Sequence, residues 1–297
     1  TFIVVLLGIE LSARKNQRFN DPKVSSFGNN FDEINLKQNI ILLFICLIPI
    51  IFGFIIPVLI LINLSLQSLN QDNFSTFLEI SINSISISFF GAFLIILFSF
   101  IIVVAVKYHG GKKFAFLSTL AGSGYAFPGV ILALGTTFFL SLVQDSINTF
   151  FITFDVNWNL TIIGTFTALL YTYICRFNAI GIGYINSGIQ RISPNLLEAG
   201  RLQGVSFEKS LFKIIFPLIR PSILTGFLII FVDIIKELPV TLLLRPFNFE
   251  TLATYVYQYA KEEMLEQSAL AALLIIIIGI VPVIVLNKLI NLSFKKQ

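Results

Sequence analysis

Residues 40–64 read IILLFICLIPIIFGFIIPVLILINL and contain no charged side chain. A helix needs about 20 apolar residues to cross the hydrocarbon core of a bilayer. The remainder of the chain is similar, since 56% of its 297 residues are hydrophobic and 12% are charged. Soluble domains carry about 25% charged residues. The composition therefore predicts an integral membrane protein with the lipid bilayer as its surroundings, and it does not indicate a nucleic-acid partner.

Further apolar stretches predict the number of crossing helices. They are residues 84–106, 114–143, 160–174 with flanks, 218–238 and 269–290. Together with 40–64 they predict an all-α fold, a polytopic membrane bundle with six transmembrane helices in residues 40–297. The apolar part of residues 1–9 is too short to cross at about 1.5 Å per residue. We interpret it as the tail of a preceding transmembrane helix, joined by a cytoplasmic linker at 10–39, and expect the chain to be a fragment.

The 20 Lys and Arg residues predict the orientation, because cytoplasmic loops carry an excess of them. With the linker placed in the cytoplasm, Lys236, Arg245 and Lys261 are the cations on the outer side. All others, including Arg176, are assigned to cytoplasmic segments. This pattern places residues 190–220 and the C-terminus in the cytoplasm.

Residues with catalytic or metal-binding chemistry are sparse. The two cysteines, Cys46 and Cys175, and the single histidine, His109, lack metal-ligand spacing, so no metal site is assigned. The GGKK run at 110–113 lacks the upstream Gly and the following Ser or Thr of a phosphate loop. No catalytic constellation is visible. We therefore predict that the chain is not an enzyme.

Residues 196–221, LLEAGRLQGVSFEKSLFKIIFPLIRP, lie between two apolar spans yet hold six charged residues. Gly204 favours the end of one short helix, since glycine tolerates the left-handed conformation, and Ser206 favours the start of a second. Pro217 and Pro221 predict kinks on entry to the membrane. From these residues alone the segment is either an amphipathic helix on the lipid surface or a docking element for a cytoplasmic partner.

The order Glu198-Ala199-Gly200, Gly204, Ile214 and Phe216-Pro217 resembles the EAA loop of ABC importer permeases. Gly200 and Phe216 stand where that pattern has Ala and Leu. The resemblance implies a coupling helix at about 190–220 that inserts into a separate ATP-binding subunit, expected as a dimer. It implies that ATP and Mg bind to that subunit and that this chain binds no cofactor. The implied ATPase-coupling residues are Glu198, Ala199, Gly200, Gly204, Ile214 and Pro217.

Residues 232–260 resemble the corresponding region of ferric-iron permeases, in which Lys-Glu-Leu-Pro (236–239) is followed by Arg-Pro-Phe (245–247) and Thr-Leu-Ala (251–253). The resemblance implies that a periplasmic binding protein delivers ferric iron, which the permease moves across a bacterial inner membrane. Because such permeases are commonly fused, the chain resembles a C-terminal half that works with an N-terminal half or a second permease subunit. Permeases for thiamine, polyamine, phosphonate or oxyanion stay open, as does a secondary transporter.

Three ionisable residues, Asp233, Lys236 and Glu237, follow a long apolar run. Asp233 lies about 22 Å along a helix that enters at Leu218. Their spacings of three and four residues make them helical neighbours. Three interpretations are open. These residues line a cation pathway, they brace the fold as an ion pair, or they reach interfacial water where the helix ends.

The region after Pro239 is predicted to lie on the outer face. An apolar piece that follows Pro239 is consistent with a re-entrant or tilted segment. Residues 251–266 predict an amphipathic helix with Tyr255, Tyr257 and Tyr259 at the headgroup level. Tyrosines in this position are typical of an interfacial belt, so we do not assign them metal chemistry.

Overall fold

The computed structural model describes residues 36–68, 74–154, 159–193, 196, 202 and 205–294. They divide into two compact units, with the boundary after Ile55. The first unit contains α1 (Leu36–Ile50) and a π-helical turn (Ile51–Ile55). The second contains α2 (Ile56–Ser68), α3 (Phe74–Val104), a π-helical turn (Ala105–His109), α4 (Lys112–Gly122), a 3-10 turn (Ser123–Ala126), α5 (Gly129–Thr153), α6 (Phe166–Gln190), α7 (Phe207–Ser210), a π-helical turn (Leu211–Ile215), α8 (Phe216–Ile235), α9 (Pro239–Leu244), α10 (Leu252–Lys261) and α11 (Leu265–Phe294).

The regular elements in the described part of the chain are all helices, and five helical stretches there are long and apolar enough to cross a membrane. They are Ile41–Gln67, Phe74–Tyr108, Gly129–Thr153, Phe207–Ile235 and Leu265–Val285. The prediction of an all-α polytopic membrane protein is confirmed. The predicted helix tail at 1–9 and the linker up to residue 35 lie outside the described residues.

The predicted span 114–143 is not one helix. α4 ends at Gly122, a 3-10 turn follows, and α5 begins only at Gly129. Pro128 occupies the position before α5, where its missing N–H cannot continue the preceding helix. Gly124 in the turn lies so close to α6 that an added Cβ would overlap the carbonyl oxygen of Cys175. A proline and a close backbone contact therefore divide this stretch.

The predicted span 160–174 lies too early in the chain. The helix is α6, Phe166–Gln190, whose 25 residues extend about 37 Å, enough to cross a bilayer. Leu169, Tyr173 and Ile185 along its length are fully buried. α3, α5 and α8 pack around α6. Residues that pack against neighbouring helices need not be apolar, so the prediction from hydrophobicity ends just before Arg176, the first charged residue of α6.

Small side chains bring α6 close to α3. A Cβ on Gly181 of α6 would overlap Ser99 of α3. The Ser99 hydroxyl donates a hydrogen bond to Asn178 Oδ1 at 2.5 Å. Inside a bilayer, burial of apolar surface contributes little to helix association. Helices associate there through close packing at small residues and through interhelical hydrogen bonds. This contact therefore fixes the centre of the bundle.

The predicted helix 251–266 is correct in its first part only. α10 ends at Lys261, Glu263 adopts a positive φ of 61°, and α11 begins at Leu265. Thr251 caps α10, because its Oγ1 accepts a hydrogen bond from Thr254 N and its own N–H donates to Thr254 Oγ1. The segment after Pro239 forms the short helix α9, whose Val240 and Leu244 are buried in the core.

Candidate functional site

The predicted coupling loop is described at its two ends. Glu198, Ala199, Gly200 and Gly204 lie outside the described residues. α6 ends at Gln190, and helix resumes at Phe207. Ser206 stands at the predicted cap position, but its side chain makes no capping hydrogen bond to the described backbone of α7. The start of the second helix is therefore predicted correctly and its capping bond is not.

Ile214 and Pro217 lie where the π-helical turn meets α8. Helix runs without interruption from Phe207 to Ile235, through Pro217 and Pro221. The wide turn directly before Pro217 accommodates a residue that has no N–H to donate. Ile215 is fully buried while Ile214 is half-buried, so Ile215 holds this turn in the core. The loop thus leads into one continuous helix that is fixed at its base.

The predicted ionisable group lies where α8 ends. Helical geometry stops after Ile235, and Pro239 begins α9. The N–H of Glu237 donates to the carbonyl of Ile234 at 3.0 Å, a tighter turn than an α-helix makes. Residues 236–238 therefore form a break between two helices, which we call the α8–α9 break.

The three charged side chains at this break face two environments. Lys236 Nζ lies 2.8 Å from Asp233 Oδ1, and the Lys236 side chain is 61% exposed. Glu237 is 7% exposed and points into the bundle instead. The structure thus pairs Asp233 with Lys236, while Glu237 makes its contacts inside the bundle.

Glu237 is paired with Arg176 of α6, a residue that sequence reasoning assigned to the cytoplasmic side. Arg176 Nε lies 3.1 Å from Glu237 Oε2. Arg176 is the eleventh residue of α6, about 15 Å from the start of that helix, so the assignment to a loop is wrong. A single charge inside a helical stretch was the available signal, since ionisable groups within membrane helices are usually paired.

Arg176 also contacts the break between α4 and α5. Its Nη1 donates to the carbonyl of Phe127 at 3.4 Å, and its guanidinium lies 5.6 Å from the centre of the Phe177 ring. A Cβ on Gly129, the first residue of α5, would lie 2.7 Å from Arg176 Nη1 and 3.1 Å from Glu237 Oε1. A larger residue at this position would require the Arg176 guanidinium to move. Two helix breaks therefore meet at the Arg176–Glu237 pair.

Hydrogen bonds connect Glu237 to α9 and to α6 around this pair. Glu237 Oε1 accepts from the N–H of Val240 at 3.2 Å. Thr241 donates its hydroxyl proton to the carbonyl of Glu237 at 2.6 Å. Tyr173 OH lies 2.6 Å from the Thr241 oxygen, and because the Thr241 proton is already used, the tyrosine is the donor. The α8–α9 break is thus held to α6 by both charge and hydrogen bonding.

A separate cavity of about 630 Å³ opens beside the turn that joins α9 to α10. Arg245 and Glu250 in the turn form an ion pair of 2.6 Å, and Tyr255 and Tyr259 line another wall. Burial raises the pKa of Tyr255 to about 12, and the contact with Tyr259 adds to the rise. This phenol stays protonated at physiological pH. Within the described residues, no three His, Cys, Asp or Glu side chains are grouped so as to hold a metal ion.

The model of one protein family, described as "Binding-protein-dependent transport system inner membrane component", matches residues 103–296. The matched region includes the predicted coupling loop, Arg176 and the α8–α9 break. It also includes both helix breaks that meet at the ion pair.

The proteins that are similar in sequence include two ferric transport permeases. The Fe(3+)-transport system permease protein FbpB 2 of Haemophilus influenzae is 23% identical over 239 residues, which are 78% of this chain and 44% of that protein. The ferric transport system permease protein FbpB of Actinobacillus pleuropneumoniae is 26% identical over 166 residues, 55% of this chain and 23% of that protein. The chain thus matches less than half the length of these relatives.

The solved structures that share the fold include chains of two ABC transporters. A chain of a bacterial alginate ABC transporter, in complex with an alginate pentasaccharide-bound periplasmic protein, superposes with a TM-score of 0.63 at 19% identity, covering 84% of this chain and 94% of that one. A chain of the MetNI methionine ABC transporter in an inward-facing conformation gives 0.51 at 14% identity, covering 70% and 92%. At these identities the likeness concerns the fold alone.

Proposed function

Because the chain belongs to the family of binding-protein-dependent transport system inner membrane components, we propose that it is the permease of an ABC importer for ferric iron. A periplasmic binding protein delivers the iron, and the chain provides part of the path across the bacterial inner membrane. ATP hydrolysis takes place on a separate dimeric subunit, which holds the nucleotide and Mg. A second permease domain completes the path.

The observation that carries this proposal is the family match over residues 103–296. It contains the Glu-Ala-Gly motif at 198–200, the base of the loop at Ile214 and Pro217, and the Lys-Glu-Leu-Pro run. These were the features that suggested a permease from sequence. The choice of ferric iron is supported by the names of the relatives and by their similarity over 166 to 239 residues.

The arrangement of the helices supports a way for the ATPase to act on the path. In the proposed topology α6 joins the five most apolar stretches as a sixth crossing helix of the permease domain. The loop at 190–206 then lies in the cytoplasm between α6 and α7, as does the C-terminus. ATPase closure pushes this loop, and the continuous helix Phe207–Ile235 carries the movement into the membrane.

The test is ATP hydrolysis and ⁵⁵Fe uptake by the complete transporter in proteoliposomes. The binding protein is supplied either empty or loaded with Fe(III). We expect the loaded form to stimulate hydrolysis and the iron to enter the vesicle lumen. Hydrolysis that responds to a loaded thiamine, polyamine, phosphonate or oxyanion binding protein instead would keep the permease and replace the cargo.

A pair of loop variants tests the coupling itself. Glu198→Lys reverses a charge in the motif, and Glu208→Lys makes the same reversal at an exposed position of α7 ten residues away. We expect Glu198→Lys alone to lose the ATP-binding subunit during purification. Equal retention of that subunit by both variants would mean that the loop lies on the lipid surface.

A further inference from the structure

The Arg176–Glu237 pair lies at the far end of the helix that begins at the coupling loop. The helix Phe207–Ile235 contains 29 residues and extends about 43 Å. Its first residue follows the loop, and Glu237 comes two residues after its last. α8 packs along α3 and α6 for most of this length. A displacement applied at the loop therefore reaches Ile235, two residues before Glu237, through one continuous helix.

The pair lies where the end of α8 meets α5, α6 and α9, and α6 packs against the other three. Arg176 belongs to α6, and it contacts Phe127 and Gly129 at the start of α5 as well as Glu237 at the α8–α9 break. Both helix breaks in this part of the bundle thus share one ion pair. Discontinuous helices inside a membrane are the elements that transporters rearrange around their pathway.

The contact between Arg176 and Glu237 is largely buried. Glu237 is 7% exposed and Arg176 is 18% exposed. Removing one partner of a buried ion pair strongly destabilises the folded protein. Arg176 and Glu237 therefore separate only in a conformation that gives each of them another partner. In the neighbouring Asp233–Lys236 pair, Asp233 is 16% exposed but Lys236 is 61% exposed, so water compensates the charge of Lys236 directly.

We propose that Arg176 and Glu237 are a positioning pair for transport, through which movement of α8 is passed to the starts of α5 and α9. Resting on the proposed function, this assigns the pair to coupling between ATP hydrolysis and passage of the cargo. While the pair is intact, α8 cannot shift without moving α5 and α9 with it. When the pair is absent, α8 and the attached α9 move without this link to the start of α5, and ATP is hydrolysed without opening the path.

The test compares two double variants in the complete transporter. Arg176→Gln with Glu237→Gln removes both charges and leaves no unpaired buried ion, which removes the main cause of misfolding. The Glu237→Gln substitution in this double variant keeps an oxygen that can accept the hydrogen bond from the Val240 N–H. The matched control, Asp233→Asn with Lys236→Gln, removes the neighbouring pair, in which only Lys236 is exposed. Each is assayed for subunit co-purification, ATP hydrolysis and ⁵⁵Fe uptake in proteoliposomes.

We expect the Arg176/Glu237 double variant to assemble and to hydrolyse ATP, with iron uptake per ATP lowered about fivefold or more. The Asp233/Lys236 control should keep the wild-type ratio. A double variant that assembles and keeps the wild-type ratio would overturn the proposal. So would a double variant that fails to assemble while the control assembles, since the pair would then serve folding.

The wild-type transporter separates failure of this inference from failure of the proposed function. If wild type shows no hydrolysis stimulated by loaded binding protein, the proposed function fails and the inference with it. If wild type is stimulated and both double variants match it, the inference alone fails.

Discussion

Gly124 lies in the 3-10 turn between α4 and α5, directly against the backbone of α6. A methyl group here would overlap the carbonyl oxygen of Cys175, and backbone cannot turn aside as a side chain can. Overpacking of this kind costs about 1–3 kcal/mol. We expect Gly124→Ala to lower the midpoint of thermal unfolding in detergent by about 2–4 °C for each kcal/mol.

Gly135→Ala is the matched control for this substitution. Gly135 lies within α5, and an added Cβ there has no described atom within 4 Å. Alanine is the better helix former by up to about 1 kcal/mol, so this variant should unfold at or above the wild-type midpoint. Equal midpoints for the two variants, measured by size-exclusion chromatography after heating, would show that the turn adjusts freely.

Arg176 shows what sequence can and cannot provide for a single residue. The hydrophobic pattern stops at Ile174 and therefore predicts that Arg176 lies outside the membrane. Its burial depends on α3, α5 and α8, which surround α6 and which no local pattern reveals. Glu237 was singled out because it lies in a recognisable motif, but its partner is 61 positions away in the chain. Local spacing predicted the charged group and could not predict this pairing.

At the scale of elements, Ser84 connects α3 to the first turn of α10. The first N–H groups of a helix have no partner within it. Ser84 Oγ accepts a hydrogen bond of 2.6 Å from the N–H of Leu252, the first residue of α10, and both groups are buried. Ser84→Ala leaves that N–H without its partner at a cost of about 1–3 kcal/mol. We expect faster amide hydrogen exchange in α10.

Ser81→Ala is the control for this prediction. Ser81 is also buried in α3, and its hydroxyl donates to the carbonyl of Phe77 within the same helix. Ser84 makes the equivalent bond to Ile80 and additionally accepts from α10. Exchange in Leu252–Lys261 should therefore be unchanged in Ser81→Ala. Equal exchange rates in both variants would argue that Thr251 alone secures the start of α10.

Elements that face lipid were predicted best. The stretch Ile41–Gln67, predicted as 40–64, coincides with a long apolar run and is exposed over most of its length. The break at Ser123–Pro128 was not predicted, since the residues there are small or apolar and keep the stretch hydrophobic. The break follows from packing against Cys175 and Arg176. Hydrophobicity reports contact with lipid, and it does not report contacts between helices.

At the scale of the whole molecule, every functional proposal depends on the orientation of the chain in the membrane. When Arg176 is counted within α6, the excess of Lys and Arg still lies on the side of the coupling loop. Lys209, Lys213 and Arg220 still follow that loop, while Lys236, Arg245 and Lys261 lie beyond the other end of α8. We therefore expect Glu208 to face the cytoplasm and Phe247 to face the outside.

Cysteine labelling checks this orientation. Phe247 is 99% exposed at the tip of the turn between α9 and α10, and Glu208 is exposed on α7. Phe247→Cys and Glu208→Cys are made separately after Cys46 and Cys175 are replaced by serine. An impermeant maleimide should label Phe247→Cys in intact spheroplasts and label Glu208→Cys only after permeabilisation. Both variants should react fully in detergent, which controls for access to the thiol.

The labelling pattern also decides which mechanisms the bundle permits. An ATPase in the cytoplasm can push on α8 only if Glu208 lies on the cytoplasmic side, because α7 and α8 form one helix. A binding protein outside the membrane can reach the turn at Arg245–Glu250 only if Phe247 faces it. Labelling of Glu208→Cys from outside would contradict the positive-inside assignment and remove the coupling loop from reach of ATP. The Arg176–Glu237 pair would then be a contact within the bundle with no connection to hydrolysis.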